Sequence, residues 1–141
     1  VYKRQYEGGH RIPFLVRWPA KIKTGSETHA LLGLNDLYRS FASLARVEAK
    51  TGAARDSEDL SHLLDGSDLE DGRKTPLVIQ TKGGGDLFAV QGSRWKLVVE
   101  KGQARELYDL ETDLKEATNV LDKHRPLADA LRAAYRVVTG N

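Results

Sequence analysis

The sequence predicts an α+β chain in which a small antiparallel sheet of about four strands packs against a C-terminal helix. Two patterns carry that prediction. Four short apolar runs follow one another between residues 76 and 110, separated by glycine-containing turns, as in an antiparallel meander. Behind them, Pro126 opens a stretch with apolar residues at helical spacing, and helices gathered on one face of a sheet make an α+β arrangement. An apolar run and an amphipathic helix before residue 48 form a third pattern, expected to belong to a separate body.

Taken in order, Ile12-Pro13-Phe14-Leu15-Val16-Arg17-Trp18-Pro19 reads as a strand, buried around Phe14 to Val16. A polar turn with Gly25 follows. Asn35 or Asp36 can cap a helix in which Leu37, Phe41, Leu44 and Ala45 form the apolar stripe. Residues 49–73 turn polar and small, and read as a loop with one helical turn at Leu60, Leu63 and Leu64. The strands are expected at Pro76 to Thr81, Leu87 to Val90, Trp95 to Val99 and Leu107 to Leu110. Gly83-Gly84-Gly85, Gly92-Ser93 and Gly102 lie between them. The last helix carries Leu127, Ala130, Leu131, Ala134, Tyr135 and Val138 on its inner face, and Gly140 ends it.

Composition narrows the function classes. At 141 residues the chain can build one domain with a real core, though not comfortably two. Lys and Arg number 22 against 20 Asp and Glu, and the signs are interspersed, so no basic stripe marks a nucleic-acid or membrane-surface partner. Without cysteine there is no disulfide and no thiolate metal site. No apolar run approaches the roughly 20 residues of a membrane span.

Several tempting features have bland readings. His29, His62 and His124 lack ligand spacing. The acidic residues Asp56, Glu58, Asp59, Asp65, Asp68, Glu70 and Asp71 lack the order of a calcium loop and read as a solvated surface. Gly83 to Gly85 follow a strand without opening onto a helix, so they suit a hairpin better than a phosphate cradle. Trp95 reads as a hairpin core aromatic.

Three segments carry a family resemblance. Tyr6-Glu7-Gly8-Gly9-His10-Arg11-Ile12-Pro13 resembles the Y-E-G-G-x-R-x-P segment of sulfatases in the alkaline-phosphatase superfamily. Ala89-Val90-Gln91-Gly92-Ser93-Arg94-Trp95-Lys96-Leu97 is similar to the family's A-I-R-x-G-x-W-K-L hairpin, with Gln91 replacing Arg. Leu107-Tyr108-Asp109-Leu110, with Asp113, Glu116 and Asn119, resembles L-Y-D-L-x-x-D-P-x-E-x-x-N, with Leu114 in place of proline.

The resemblance implies the C-terminal part of a sulfatase. Residues 6–47 would end the α/β catalytic domain, 48–75 would connect, and 76–141 would form the C-terminal subdomain. Val1 to Gln5 match the translation of a transposase sequencing adapter and are expected to be an artefact. The family hydrolyses sulfate esters with a formylglycine made in a C/S-x-P-x-R motif and with a calcium ion. Residues Arg11, Arg17, Lys74 and His124 stand two before the four prolines, so the motif is absent here. The resemblance therefore implies calcium and formylglycine in the parent enzyme, neither held by this segment, which is expected to be inactive alone. It also implies a sulfated carbohydrate or another sulfate ester as substrate, and export to the periplasm or outside the cell.

By the same resemblance Glu7, Gly8 and Gly9 form a loop beside the active-site pocket. His10 and Arg11 are candidates for substrate contact, against a plain structural pairing of Arg11 with Glu7. No catalytic and no metal-ligating residue is assigned. Two other readings stand beside this one: a related phosphonate or phosphodiester hydrolase, and a stand-alone, non-catalytic interaction module.

Overall fold

The computed structural model describes residues 5–50, 52–80 and 86–140. Residues 1–4 of the suspected adapter and the Gly83–Gly85 run lie outside the described residues. Two compact units result, one of Val1–Pro13 with Lys74–Asn141 and one of Phe14–Arg73.

The first unit holds the expected meander. Strands β1 (Leu77–Gln80), β2 (Leu87–Gln91), β3 (Trp95–Glu100) and β4 (Gln103–Asp109) lie side by side in chain order, each antiparallel to the next. Between β3 and β4 the turn has only two residues, Lys101 and Gly102, both at positive φ (50° and 72°). A two-residue hairpin needs that backbone twist, and glycine adopts it without steric cost. β4 begins four residues earlier than its apolar pattern suggests. Gln103 to Glu106 are polar or small, and pairing with β3, through a register shift at Val98 and Val99, makes them a strand.

One face of the sheet is closed by helix α4 (Arg125–Thr139). Val90, Leu97, Val99 and Leu107 are fully buried there with Leu121, Ala128, Leu131 and Tyr135. Phe88 meets Tyr135 edge-to-face at 5.0 Å between ring centres. The helix is rotated slightly from the expected stripe. Ala128, Leu131 and Tyr135 point inward at i, i+3 and i+7, while Ala130 and Val138 are exposed. Pro126 in the first turn and Gly140 at φ 75° bound the helix as expected. Trp95 packs partly buried against this core.

The opposite face is also buried. Val98, Tyr108 and Leu110 pack with Tyr6 and Leu87. Lys96, two residues from Val98 and therefore on the same face, is completely buried. Over this face the chain from Tyr6 makes a single helical turn, α1 (Glu7–His10).

The second unit departs from expectation in two places. Residues 11–18 form no strand, and Phe14, Leu15 and Val16 are 43%, 93% and 43% exposed rather than buried. A strand needs a neighbour for its ladder, and the unit has no other strand among its described residues. Helix α2 (Leu37–Leu44) forms as expected, but Phe41 and Ala45 are exposed. Fully buried instead are Asp36, just before its first turn, and Ser40 within it. Asp36 accepts the N–H groups of Gly33 at 2.7 Å and Glu58 at 2.9 Å, and pairs with buried Arg73. Ser40 donates to the Asp36 carbonyl at 2.7 Å and accepts Leu60 N–H at 2.9 Å. A polar hub, not an apolar stripe, thus orders the unit, because each hub atom finds a partner. The expected single turn in the polar loop is α3 (Ser61–Asp65), with Leu60, Leu63 and Leu64 buried.

Candidate functional site

The Glu7 to Arg11 segment is a helical turn rather than an open loop. Tyr6 accepts Gly9 N–H at its carbonyl (2.8 Å), and Glu7 likewise accepts Arg11 N–H (2.8 Å). Glu7 points inward and is buried, Gly8 and Gly9 are exposed, and His10 is half-buried. Arg11 lies outside, its side chain 57% exposed.

Beneath the turn lies a buried charge cluster. Lys96 Nζ donates to Glu7 Oε1 at 3.0 Å. It also stands 3.0 Å from Glu116 Oε1, an ion-pair contact outside hydrogen-bonding angles. Glu116 Oε2 accepts the Glu7 backbone N–H at 2.5 Å. On the outer side Arg11 Nε donates to Glu7 Oε2 at 3.0 Å. Two carboxylates thus face two cations, so the charges balance, and burying them without such pairing would be prohibitive.

The cluster sets the titration of its neighbours. Burial alone would raise the Glu7 carboxyl, but Lys96 and then Arg11 outweigh it and hold it below its ordinary value. The His10 imidazole is pushed down by burial first and by the Lys96 ammonium second, with Glu7 opposing. Its Nδ1 is buried and takes no hydrogen-bond partner among the described residues.

A second polar group braces the turn. The hydroxyls of Tyr6 and Tyr108 both donate to Glu106 Oε2, at 3.0 and 3.1 Å, with the two rings edge-to-face at 6.1 Å. Burial first, and then Glu106, raise the Tyr108 phenol well above its ordinary value.

Of the residues singled out in the sequence, Glu7 and Arg11 are brought into direct contact and His10 is placed beside them. Lys96, Glu116 and Glu106 were not expected in this cluster. The signal was nevertheless present, because each lies in or beside one of the three motifs. Glu7 comes from the first, Lys96 from the second and Glu116 from the third. Other motif residues wire the same unit. Arg94 grips Asp109 with two hydrogen bonds of 2.9 and 2.7 Å, and Asn119 Oδ1 accepts the N–H groups of Leu107 and Leu121. Two other histidines have local roles: His62 Nε2 donates to the Asp71 carbonyl, and His124 lies against Trp95.

The profile of the N-sulphoglucosamine sulphohydrolase C-terminal family matches residues 2–135. The chain belongs to this family of sulfatase C-terminal segments. An N-acetylgalactosamine-6-O-sulfatase of Bacteroides thetaiotaomicron is 34% identical over 84% of the chain. A solved structure from a study of glycosaminoglycan metabolism by the same bacterium superposes with a TM-score of 0.82 at 31% identity, over 97% of the chain. A protein solved with its substrate D-glucosamine-2-N,6-O-disulfate shares the fold, with a TM-score of 0.60 at 17% identity over 85% of the chain. The sulfatase segment spans 25%, 31% and 28% of these three proteins. Its four-stranded sheet and closing helix are those of the sulfatase C-terminal region.

Proposed function

We propose that this chain is the C-terminal part of an enzyme that hydrolyses sulfate esters of sulfated carbohydrates, and that it is inactive by itself. Family membership supports the sulfatase assignment. The carbohydrate assignment is supported by the 34% identical relative, which is named for the 6-O-sulfate of N-acetylgalactosamine.

Formylglycine and calcium, which the family implies, do not fit the residues of this chain. It has no cysteine and no Ser-x-Pro-x-Arg sequence. Among the described residues no three His, Cys, Asp or Glu side chains gather as a metal site. No step of the hydrolysis is therefore assigned to this segment.

Its contribution is to binding. The turn Glu7-Gly8-Gly9-His10-Arg11 would stand beside the sulfate pocket, with Arg11 and His10 as substrate contacts. The observation that carries this role is the Arg11 side chain. Its Nε is tied to Glu7, while its terminal nitrogens take no partner among the described residues. A guanidinium held in this way offers paired donors to an oxyanion.

The test is to incubate the protein with a fluorogenic aryl sulfate and with N-acetylgalactosamine 6-sulfate, following the His10 and Arg11 side-chain resonances. No sulfate release and selective shifts at those two residues are expected. Release of sulfate would overturn the inactivity, and unshifted resonances would overturn the binding role.

A further inference from the structure

We infer that Lys96 and Glu116 are positioning residues for sulfate recognition, locking Glu7 and through it holding the Arg11 guanidinium in place. The inference rests on the proposed role of Arg11 as a sulfate contact. The chain of contacts is continuous and short. Lys96 Nζ fixes Glu7 Oε1, Glu116 fixes the Glu7 backbone N–H, and the remaining Glu7 oxygen fixes Arg11 Nε.

Three features point to geometry over mere cohesion. Lys96 is completely buried, and an apolar side chain of similar volume often serves stability as well as or better than a buried ion pair. The sheet already has a large apolar core on its other face. Glu116 sits at φ 54°, a left-handed conformation unusual for a residue with a side chain, and such strain persists where its surroundings over-determine it. Asp113 holds that strained loop by accepting the N–H groups of Ala117 and Thr118, at 3.1 and 2.8 Å. With Glu116 so placed, Glu7 has one orientation and Arg11 inherits it.

The deciding experiment reads the Arg11 Nε–Hε resonance and its exchange with water, alongside affinity for N-acetylgalactosamine 6-sulfate. Glu116→Gln keeps an acceptor for the Glu7 N–H but removes the charge. The pair Lys96→Met with Glu116→Gln removes the cluster without stranding Glu116. Leu131→Ala, which weakens the core away from the cluster, serves as the control for general destabilisation. In both cluster variants Hε exchange should accelerate and affinity fall by about fivefold to tenfold, less than the loss of a whole charge-assisted hydrogen bond because the Arg11 guanidinium itself remains. The control should leave both unchanged. Should the paired variant fail to fold, Glu116→Gln decides alone.

Unchanged Hε exchange in folded cluster variants would overturn the positioning role, whatever the affinity of the wild-type protein. Accelerated exchange in variants of a protein that does not bind the sugar would overturn the sulfate assignment of Arg11. The positioning role for sulfate would then fall with it, leaving a purely structural clamp.

Discussion

Lys96 on β3 donates to Glu7, 89 residues earlier in the chain, across 3.0 Å with both side chains buried. This contact joins the turn that carries Arg11 to the middle of the sheet. Replacing Lys96 alone by Met should destabilise the protein by about 3–5 kcal/mol, because it leaves two buried carboxylates without their shared cation. Urea unfolding measures the loss, and a cost under about 1 kcal/mol would mean that the cluster is solvated in solution.

Acid should weaken the protein in two steps. Glu7 is held below its ordinary value of 4.5 in the folded state. The unfolded chain therefore takes up the proton first as pH falls, and the stability due to Glu7 is full above about pH 4.5 and lost as pH falls through the folded value. His10 is also lowered, from 6.5. Its contribution is full above about pH 6.5 and shrinks as pH drops toward the folded value. Urea midpoints between pH 3 and 8 should show both declines, and His10→Gln should remove the upper one. An upper step that survives this substitution would assign it to another group.

Leu131 fills the space between α4 and the sheet and is 8% exposed. Leu131→Ala should cost about 2–4 kcal/mol, the lost transfer energy together with the cavity left behind. Thermal and urea unfolding check the value, and a negligible change would place α4 off the sheet.

A methyl group at Gly8 would meet no atom within 4 Å, and the position is helical. Gly8→Ala should therefore stabilise the turn by about 0.5–1 kcal/mol. If a sulfated sugar approaches the backbone there, the same variant should bind it more weakly. Unfolding curves and sugar titration on one preparation separate the two effects.

Leu15 is 93% exposed within an apolar stretch that also shows Phe14 and Val16. These residues line an open apolar groove of about 440 Å³ with Trp18, Phe41 and Leu44. Exposed apolar surface of this kind promotes self-association. Leu15→Lys should raise the concentration at which light scattering first reports aggregates, and no change would place the sticky surface elsewhere.

The meander and the closing helix were legible because local rules carry them. Glycine turns, alternating apolar residues, Pro126 and Gly140 each act over a few residues and agree with one another. The three motifs were equally legible as strings, and together they indicated a sulfatase C-terminal segment. The segment around Phe14 to Val16 looked like a strand because its composition suits one. A ladder partner is a property of the whole fold, and no apolar pattern reports whether it exists. The polar hub of Asp36, Ser40 and Arg73 escaped notice for a related reason, since apolar periodicity does not register buried hydrogen bonds.

Sequence alone determined the α+β class, the antiparallel meander, the ends of the closing helix and the family. Only the tertiary structure decided what Glu7, Lys96 and Glu116 do. They lie far apart along the chain, and each by itself reads as a soluble charged side chain. Folding removes water from all three at once, and in that dry space each charge is stable only against the others.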